Sequence, residues 1–233
     1  MSGALITVEH GRCRECLRCA RVCPVHAIGM DADGALHVME ERCVGCELCV
    51  QECPHDAFVV REGGAAVDAL VAGDRPVVAL LAPEYVAALH PRTPAEVEQA
   101  LISAGFCAVE TTLLGDEAVA LAYEQRHAVS NGLPVIRSTC PVVTEFVRRY
   151  HPGLAGALAP IVPPYIAQAR LIRGSYHEEV AIVYVAPCYA RKDEAASGQL
   201  AGEVDAVIDF RELEAALLRM APGSAAASGP DTP

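Results

Sequence analysis

Eight of the eleven cysteines fall between residues 13 and 53, in two copies of one spacing, C-x2-C-x2-C-x3-C followed by proline. No other feature restricts the fold as severely. Cys13, Cys16, Cys19 and Cys23 precede Pro24, and Cys43, Cys46, Cys49 and Cys53 precede Pro54. Three thiolates at three-residue spacing lie along a tight loop that can wrap three iron corners of a cube. The Cys-Pro turn carries the fourth too far to close the same cube, so it ligates the other cluster. The spacing therefore predicts two 4Fe–4S clusters, one on Cys13, Cys16, Cys19 and Cys53, the other on Cys43, Cys46, Cys49 and Cys23. Zinc ribbons use paired C-x2-C and need no third and fourth cysteine at this pitch. Disulfides would need partners that so local a geometry denies.

The surroundings agree with reduced cysteines. The odd cysteine count and an N-terminus, MSGALITVEHGRC, without basic or apolar leader regions predict a reducing cytoplasm. With 52% hydrophobic and 21% charged residues the chain reads as globular, and no apolar run reaches membrane-spanning length, so no membrane insertion is expected. A net charge of −12 argues against nucleic acid as a partner.

Residues 1–62 resemble a bacterial two-cluster 4Fe–4S ferredoxin, down to the CPVHAI and CPHDAF segments that close each quartet. Ile6 and Val8, Leu36 and Val38, and Phe58 and Val59 read as short strands that enclose the clusters in a dry shell. His26, His55, Asp31 and Asp33 read as turn and surface residues, since the cysteines already complete both ligand sets. Such a module moves single electrons and implies a redox partner protein.

Residues 63–75 read as a linker with a Gly63-Gly64 break and a short helical stretch. Beyond it the pattern changes. Apolar runs at 76–82, 106–110, 134–138, 180–186 and 205–209 are of buried-strand type. Helical stretches separate them, at about 116–130, 141–150, 163–173 and 210–220, and from a Thr93–Glu96 capping box with Pro94 at the first helical position to Gly105. The fold expected is thus an α+β ferredoxin-like two-cluster domain, then an α/β domain over 76–220 with a mainly parallel sheet. The tail, 221–233, is disordered by composition.

Three cysteines remain. Cys107 is expected inside a strand as a small core residue. Cys140 and Cys188 each follow a predicted strand, at the sheet edge where open parallel sheets bind ligands. The segments PVIRSTCPVVTEFVRRYHPGLAGALAPIVPPYIAQARLI and YVAPCYARKDEA, with LLAPEYVAAL and ALISAGFCAVETT, resemble the FeFe-hydrogenase catalytic domain from about Leu80 to Met220. The wording of STCPVV and APCYARKDE is closer to its sensory, regulatory branch. That resemblance implies that Cys140 and Cys188 ligate the 4Fe–4S part of the family's cluster. It also puts Arg191 where a lysine contacts a diatomic ligand, and Glu194 on a carboxylate of the proton path.

The departures from that pattern weigh more. The proton-relaying cysteine before the first ligand is Thr139 here, and a hydroxyl releases its proton far less readily than a thiol. Arg191 replaces a compact ammonium with a planar fork. The family's late C-x3-C segment does not follow Cys188. The expectation is therefore an iron–sulfur protein for electron transfer or redox sensing, with no catalytic residue and no hydrogen turnover. Cys140 and Cys188 would form an incomplete third iron–sulfur site, which a homodimer or partner chain could complete. Thr139, Arg191 and Glu194 would surround it. Two alternatives stay open: an FeFe-hydrogenase completed by a partner or further sequence, and an iron–sulfur cluster assembly factor.

Overall fold

The computed structural model describes residues 3–130, 132–176 and 179–220; the predicted tail lies outside them. The N-terminal part is built almost without regular structure. Strand β1 (Ile6–Val8) pairs antiparallel with β4 (Phe58–Val60), and β2 (Ile28–Met30) with β3 (Leu36–Val38). Two helical turns, α1 (Arg18–Val22) and α2 (Leu48–Gln51), carry the ends of the cysteine motifs. Leu5, Ile6 and Leu36 are the buried aliphatic residues of one small core, with Cys19, Cys49 and Tyr189, the last from the far end of the chain.

Helix α3 (Gly64–Val71) then leads into a four-stranded parallel sheet of order β6-β5-β7-β8. Its strands are β5 (Val77–Leu81), β6 (Ala108–Thr111), β7 (Ala181–Ala186) and β8 (Ala206–Asp209). Every residue of β5 and β7 is buried, as two-sided coverage of central strands requires. Val77, Ala79, Leu81, Val183 and Val185 face one core, lined by Tyr85 of α4 (Tyr85–Ala88), by Val97 and Leu101 of α5 (Pro94–Ser103), and by Leu213 and Leu217 near the end of the described chain. Ala66, Val67, Leu70 and Val71 of α3 pack on the same side. Helix α6 (Leu113–Ala128) is followed by α7 (Pro141–Tyr150) and α8 (Pro164–Ser175). Val78, Leu80, Ile182 and Tyr184 face the other core, under Tyr165, Ile166, Ala169 and Ile172 of α8, on which α6 packs in turn. Helices α9 (Ala190–Ala196) and α10 (Phe210–Met220) complete the unit, and Leu213 and Leu217 belong to the second of them. The capping box at α5 forms as read: Thr93 Oγ1 accepts from Glu96 N at 3.3 Å, and Glu96 Oε2 accepts from Thr93 N at 2.7 Å.

Two expectations fail. Residues 134–138 form no strand of the sheet, only a single parallel bridge between Ile136 and Leu158. The run is too short and too polar: Ser138 gives its N–H to Tyr123 Oη and its hydroxyl to the carbonyls of Ala159 and Ile161, at 2.8, 2.6 and 3.1 Å. Cys140 therefore stands at the N-terminus of α7 instead of past a sheet strand. Cys107 is exposed, not in the core. Its N–H pairs with Val77 O at 2.8 Å, but it precedes the edge strand β6, where one side has no further strand to cover it. Among the described residues no helix is long and apolar enough to cross a membrane.

Candidate metal centres and their surroundings

The two cysteine motifs fold as copies displaced by thirty positions. Each loop turns through the left-handed region at matched residues: Glu15 and Gly45, Leu17 and Glu47, and His26 and Asp56. Those turns fold the backbone back over its own thiols and aim amides at sulfur. Glu15 N reaches Cys13 Sγ at 3.5 Å and Gly45 N reaches Cys43 Sγ at 3.4 Å. Beyond the Cys-Pro turns, Ala27 N reaches Cys23 Sγ at 3.2 Å and Ala57 N reaches Cys53 Sγ at 3.4 Å. Amide donors of this kind stabilise the extra negative charge of a reduced iron–sulfur cluster and so help set its potential.

Two cavities result. The first, about 340 Å³ including its open mouth, is lined by Cys13, Cys16, Cys19 and Cys53, with Val8, Leu36 and Phe58 as apolar walls. The second, about 320 Å³, is lined by Cys23, Cys43, Cys46 and Cys49, with Ile6, Val25 and Val38. Each cavity is thus lined by three cysteines of one motif and the fourth of the other. The sulfurs surround each space instead of meeting at a point: among the described residues no three His, Cys, Asp or Glu side chains are placed to hold a single metal ion. Four thiolates around an apolar cavity, with amides directed at the sulfurs, fit a 4Fe–4S cube, in which each iron takes one thiolate.

Burial pushes the Cys19 and Cys43 thiols above their ordinary range, and the Cys49 thiol up to about 12. These groups carry protons at neutral pH unless iron displaces them, so cluster assembly releases protons.

The two cavities differ in their surroundings. Cys16, at the first, is exposed, whereas the second is backed by the α/β unit. Val25, Ala27 and Val44 pack with Val142, Phe146 and Tyr150 of α7. Arg149 Nη1 donates to the carbonyls of Glu40 and Cys43, both at 2.7 Å, and Tyr150 Oη donates to Arg42 O at 2.8 Å. Glu47 accepts from the Tyr189 N–H, next to Cys188. Gly45 carries no Cβ because one would stand 3.1 Å from Ala190 Cβ and 3.2 Å from Leu5 Cδ2, on a backbone with φ of 69°.

Cys188 follows the carboxyl end of β7 as read, and is half-buried; Cys140 is exposed. Arg191 joins the two turns. Its Nη2 donates to Thr139 O at 2.7 Å, its Nη1 pairs with Glu194, and its guanidinium lies 5.3 Å above the Tyr165 ring. Tyr165 in turn stacks on Tyr184 with ring centroids 4.3 Å apart. Arg191 Nε is buried without a hydrogen-bond partner, and the Tyr165 hydroxyl lies beside the Glu194 carboxyl. Burial raises the Cys188 thiol and the Glu194 carboxyl, and Arg191 opposes both shifts. The Cys188 thiol also feels the Glu47 carboxylate, and Cys140 stands close enough to interact with it. The structure thus gathers Thr139, Cys140, Cys188, Arg191 and Glu194 around one place.

Sequence reading misses Lys192. It lies buried on α9, a helix hidden in an apparent polar turn, and donates to Asp209 Oδ2 and Arg61 O at 2.8 Å each, and to Glu212. Nothing in the local sequence announces it. It also misses Glu47, which has a signal: it stands where the first copy has Leu17.

Comparison with known proteins places these units. The family described as iron only hydrogenase large subunit, C-terminal domain, matches residues 75–226, and a 4Fe-4S dicluster domain matches residues 6–60. The electron transport protein HydN of Escherichia coli is 45% identical over 64 residues, which cover 24% of this chain and 36% of that protein. An iron-sulfur protein of Rhodospirillum rubrum is 42% identical over 52 residues, 22% of this chain and 27% of that one. The chain thus spans only about a third of these two relatives. A ferredoxin of Methanothermococcus thermolithotrophicus is 32% identical over 59 residues, 24% of this chain and 98% of the ferredoxin.

Proposed function

The chain belongs to the family of the iron-only hydrogenase large subunit, C-terminal domain, and carries a module for two 4Fe–4S clusters in front of it; from that premise we propose that it is an electron-transfer protein whose hydrogenase-like part does not turn over hydrogen. One observation carries the reading: two four-cysteine cavities lie side by side, one with an exposed cysteine at its mouth, the other packed against the hydrogenase-like unit near Cys188. When bound, each cluster supplies a one-electron couple.

The residues do the rest. Cys13, Cys16, Cys19 and Cys53 would hold one cluster, and Cys23, Cys43, Cys46 and Cys49 the other. The amides of Glu15, Ala27, Gly45 and Ala57 donate to the sulfurs, and Leu36, Val38 and Phe58 keep water from the cavities. Glu47 and Arg149 fix the second cavity against α7 and α9, so that the Cys188 turn keeps a constant separation from it. Similarity to HydN, named as an electron transport protein, supports a redox partner outside this chain.

Hydrogenase activity is the second reading, and Cys140 and Cys188 with the unpartnered Arg191 Nε favour it. Against it stand Thr139 in place of a proton-relaying thiol, and an Arg191 already engaged with Thr139 O and Glu194. Two assays decide. Anaerobic reconstitution should yield about eight irons per chain and a spin-coupled signal on reduction. After maturation with a synthetic di-iron cofactor, reduced viologen should give no sustained hydrogen. Sustained turnover would establish the second reading, and a preparation that takes no iron would defeat the first.

A further inference from the structure

The two copies of the cysteine loop share a backbone but not a neighbour. In the second copy Val44 and Gly45 are buried and Glu47 half-buried, all against the α/β unit. The matched residues of the first copy, Arg14, Glu15 and Leu17, are exposed. The turns at 15 and 45, and at 17 and 47, are both left-handed, and the amides at 15 and 45 both reach the sulfur two residues before. One loop therefore serves twice as the same shape, once inside an interface and once at the surface.

The substitutions between the copies show what the free face would meet. Residues 9–22 hold four arginines and two glutamates, while residues 39–52 hold one arginine and four glutamates, in a chain of net charge −12. Arg14 and Arg18 line the first cavity, beside the exposed Cys16. Arg12 and Arg18 have glutamate partners, Glu9 at 3.6 Å and Glu52 at 2.9 Å, but all four side chains are exposed and such pairs exchange at little cost. Arg21 reaches Cys16 O at 3.4 Å. Leu17 adds an apolar centre that is 37% exposed.

We propose that this face, Arg14, Leu17, Arg18 and Arg21 around the mouth of the first cavity, is the docking surface for an external electron-transfer protein with an acidic face. The proposal rests on the electron-transfer reading. The exchange moves one electron between the partner's iron–sulfur centre and this chain, and no bond is made or broken. A basic patch on an otherwise acidic protein steers an acidic partner to one orientation, with the first cavity at the contact.

The test uses the reconstituted full chain and, as probe, a purified acidic [2Fe–2S] ferredoxin. Binding of the oxidised probe is measured by calorimetry at low and high ionic strength. Arg14→Glu/Arg18→Glu/Arg21→Glu should weaken binding at low ionic strength by about tenfold or more and flatten its salt dependence. Iron content is checked in each preparation. If charge reversal lowers it, the milder Arg14→Gln/Arg18→Gln/Arg21→Gln should shift binding in the same direction. Glu40→Gln/Glu41→Gln, on the second copy, should leave binding unchanged. Unchanged binding in the arginine variants, or equal weakening in the glutamate variant, would overturn the proposal. Stopped-flow reduction of the unmodified chain by dithionite separates the two readings: if dithionite cannot reduce it, electron transfer fails, while the binding result still decides the docking face.

Discussion

The two parts of the molecule reach a fixed shape by opposite means. The α/β unit buries five consecutive residues of β5 and six of β7 between two apolar layers, and its sheet needs nothing but its own side chains. The cysteine module has strands of three residues, helices of four and five, and a core in which cysteines take the place of aliphatic side chains. A unit that small buries too little apolar surface to offset its chain entropy without a metal or a partner surface. The metal centres are therefore also the structural core of the first part, and the second part supplies the missing wall through α7 and Tyr189.

The largest break in that contrast comes from removing iron. Chelation under reducing conditions should abolish amide-exchange protection in β1 to β4, while β5 and β7 keep theirs. Retained protection in the N-terminal strands would show a module that folds without its clusters.

Next in size is the buried charge that joins the parts. Lys192 sits between Asp209, Glu212 and the carbonyl of Arg61, and Glu212 also accepts from Gly63 N at 2.6 Å. Lys192→Met would strand the buried Asp209 carboxylate and the partly buried Glu212, at a cost of about 3–5 kcal/mol. The pH dependence should change as well. Burial works against the Asp209 carboxylate, but Lys192 and Glu212 outweigh it and hold its pKa below the ordinary range. That stability is present above the unfolded value, about 3.9, and is lost as pH falls through the lower folded value. In the variant burial acts without the lysine to oppose it, so acidification should restore stability. Urea midpoints measured against pH decide this, and parallel curves for the two proteins would contradict it.

A smaller effect separates the two loops themselves. Gly45→Ala adds a methyl to left-handed backbone against Ala190 and should cost about 1–2 kcal/mol. Glu15→Ala, at the matched exposed position, should change stability by less than about 0.5 kcal/mol. Equal costs at the two positions would mean that the second loop is not held by the α/β unit.

Much of this was legible in advance, for a physical reason. Metal-ligand spacing is local, so a two-cluster module could be read from eight positions. Two-sided burial writes itself as unbroken apolar runs, which is why β5 and β7 were visible. The run at 134–138 misled because Val135 and Ile136 look like a strand, whereas Ser138 and its hydroxyl partners hold the segment as an irregular connection. Cys107 misled because an edge strand has the same composition as a central one. Lys192 and the Arg149 contacts were invisible, since they depend on how two distant segments meet. Glu47 was readable only by setting one copy against the other, where an acidic residue replaces Leu17.

The central claim is that each cavity takes three thiolates from its own motif and one from the other. Paired alanine variants test it directly by iron count. Cys13→Ala/Cys53→Ala should damage one cluster and leave about four irons per chain, whereas Cys13→Ala/Cys23→Ala should damage both and leave almost none. The reverse result, with iron retained by the Cys13/Cys23 variant and none by the Cys13/Cys53 variant, would contradict it.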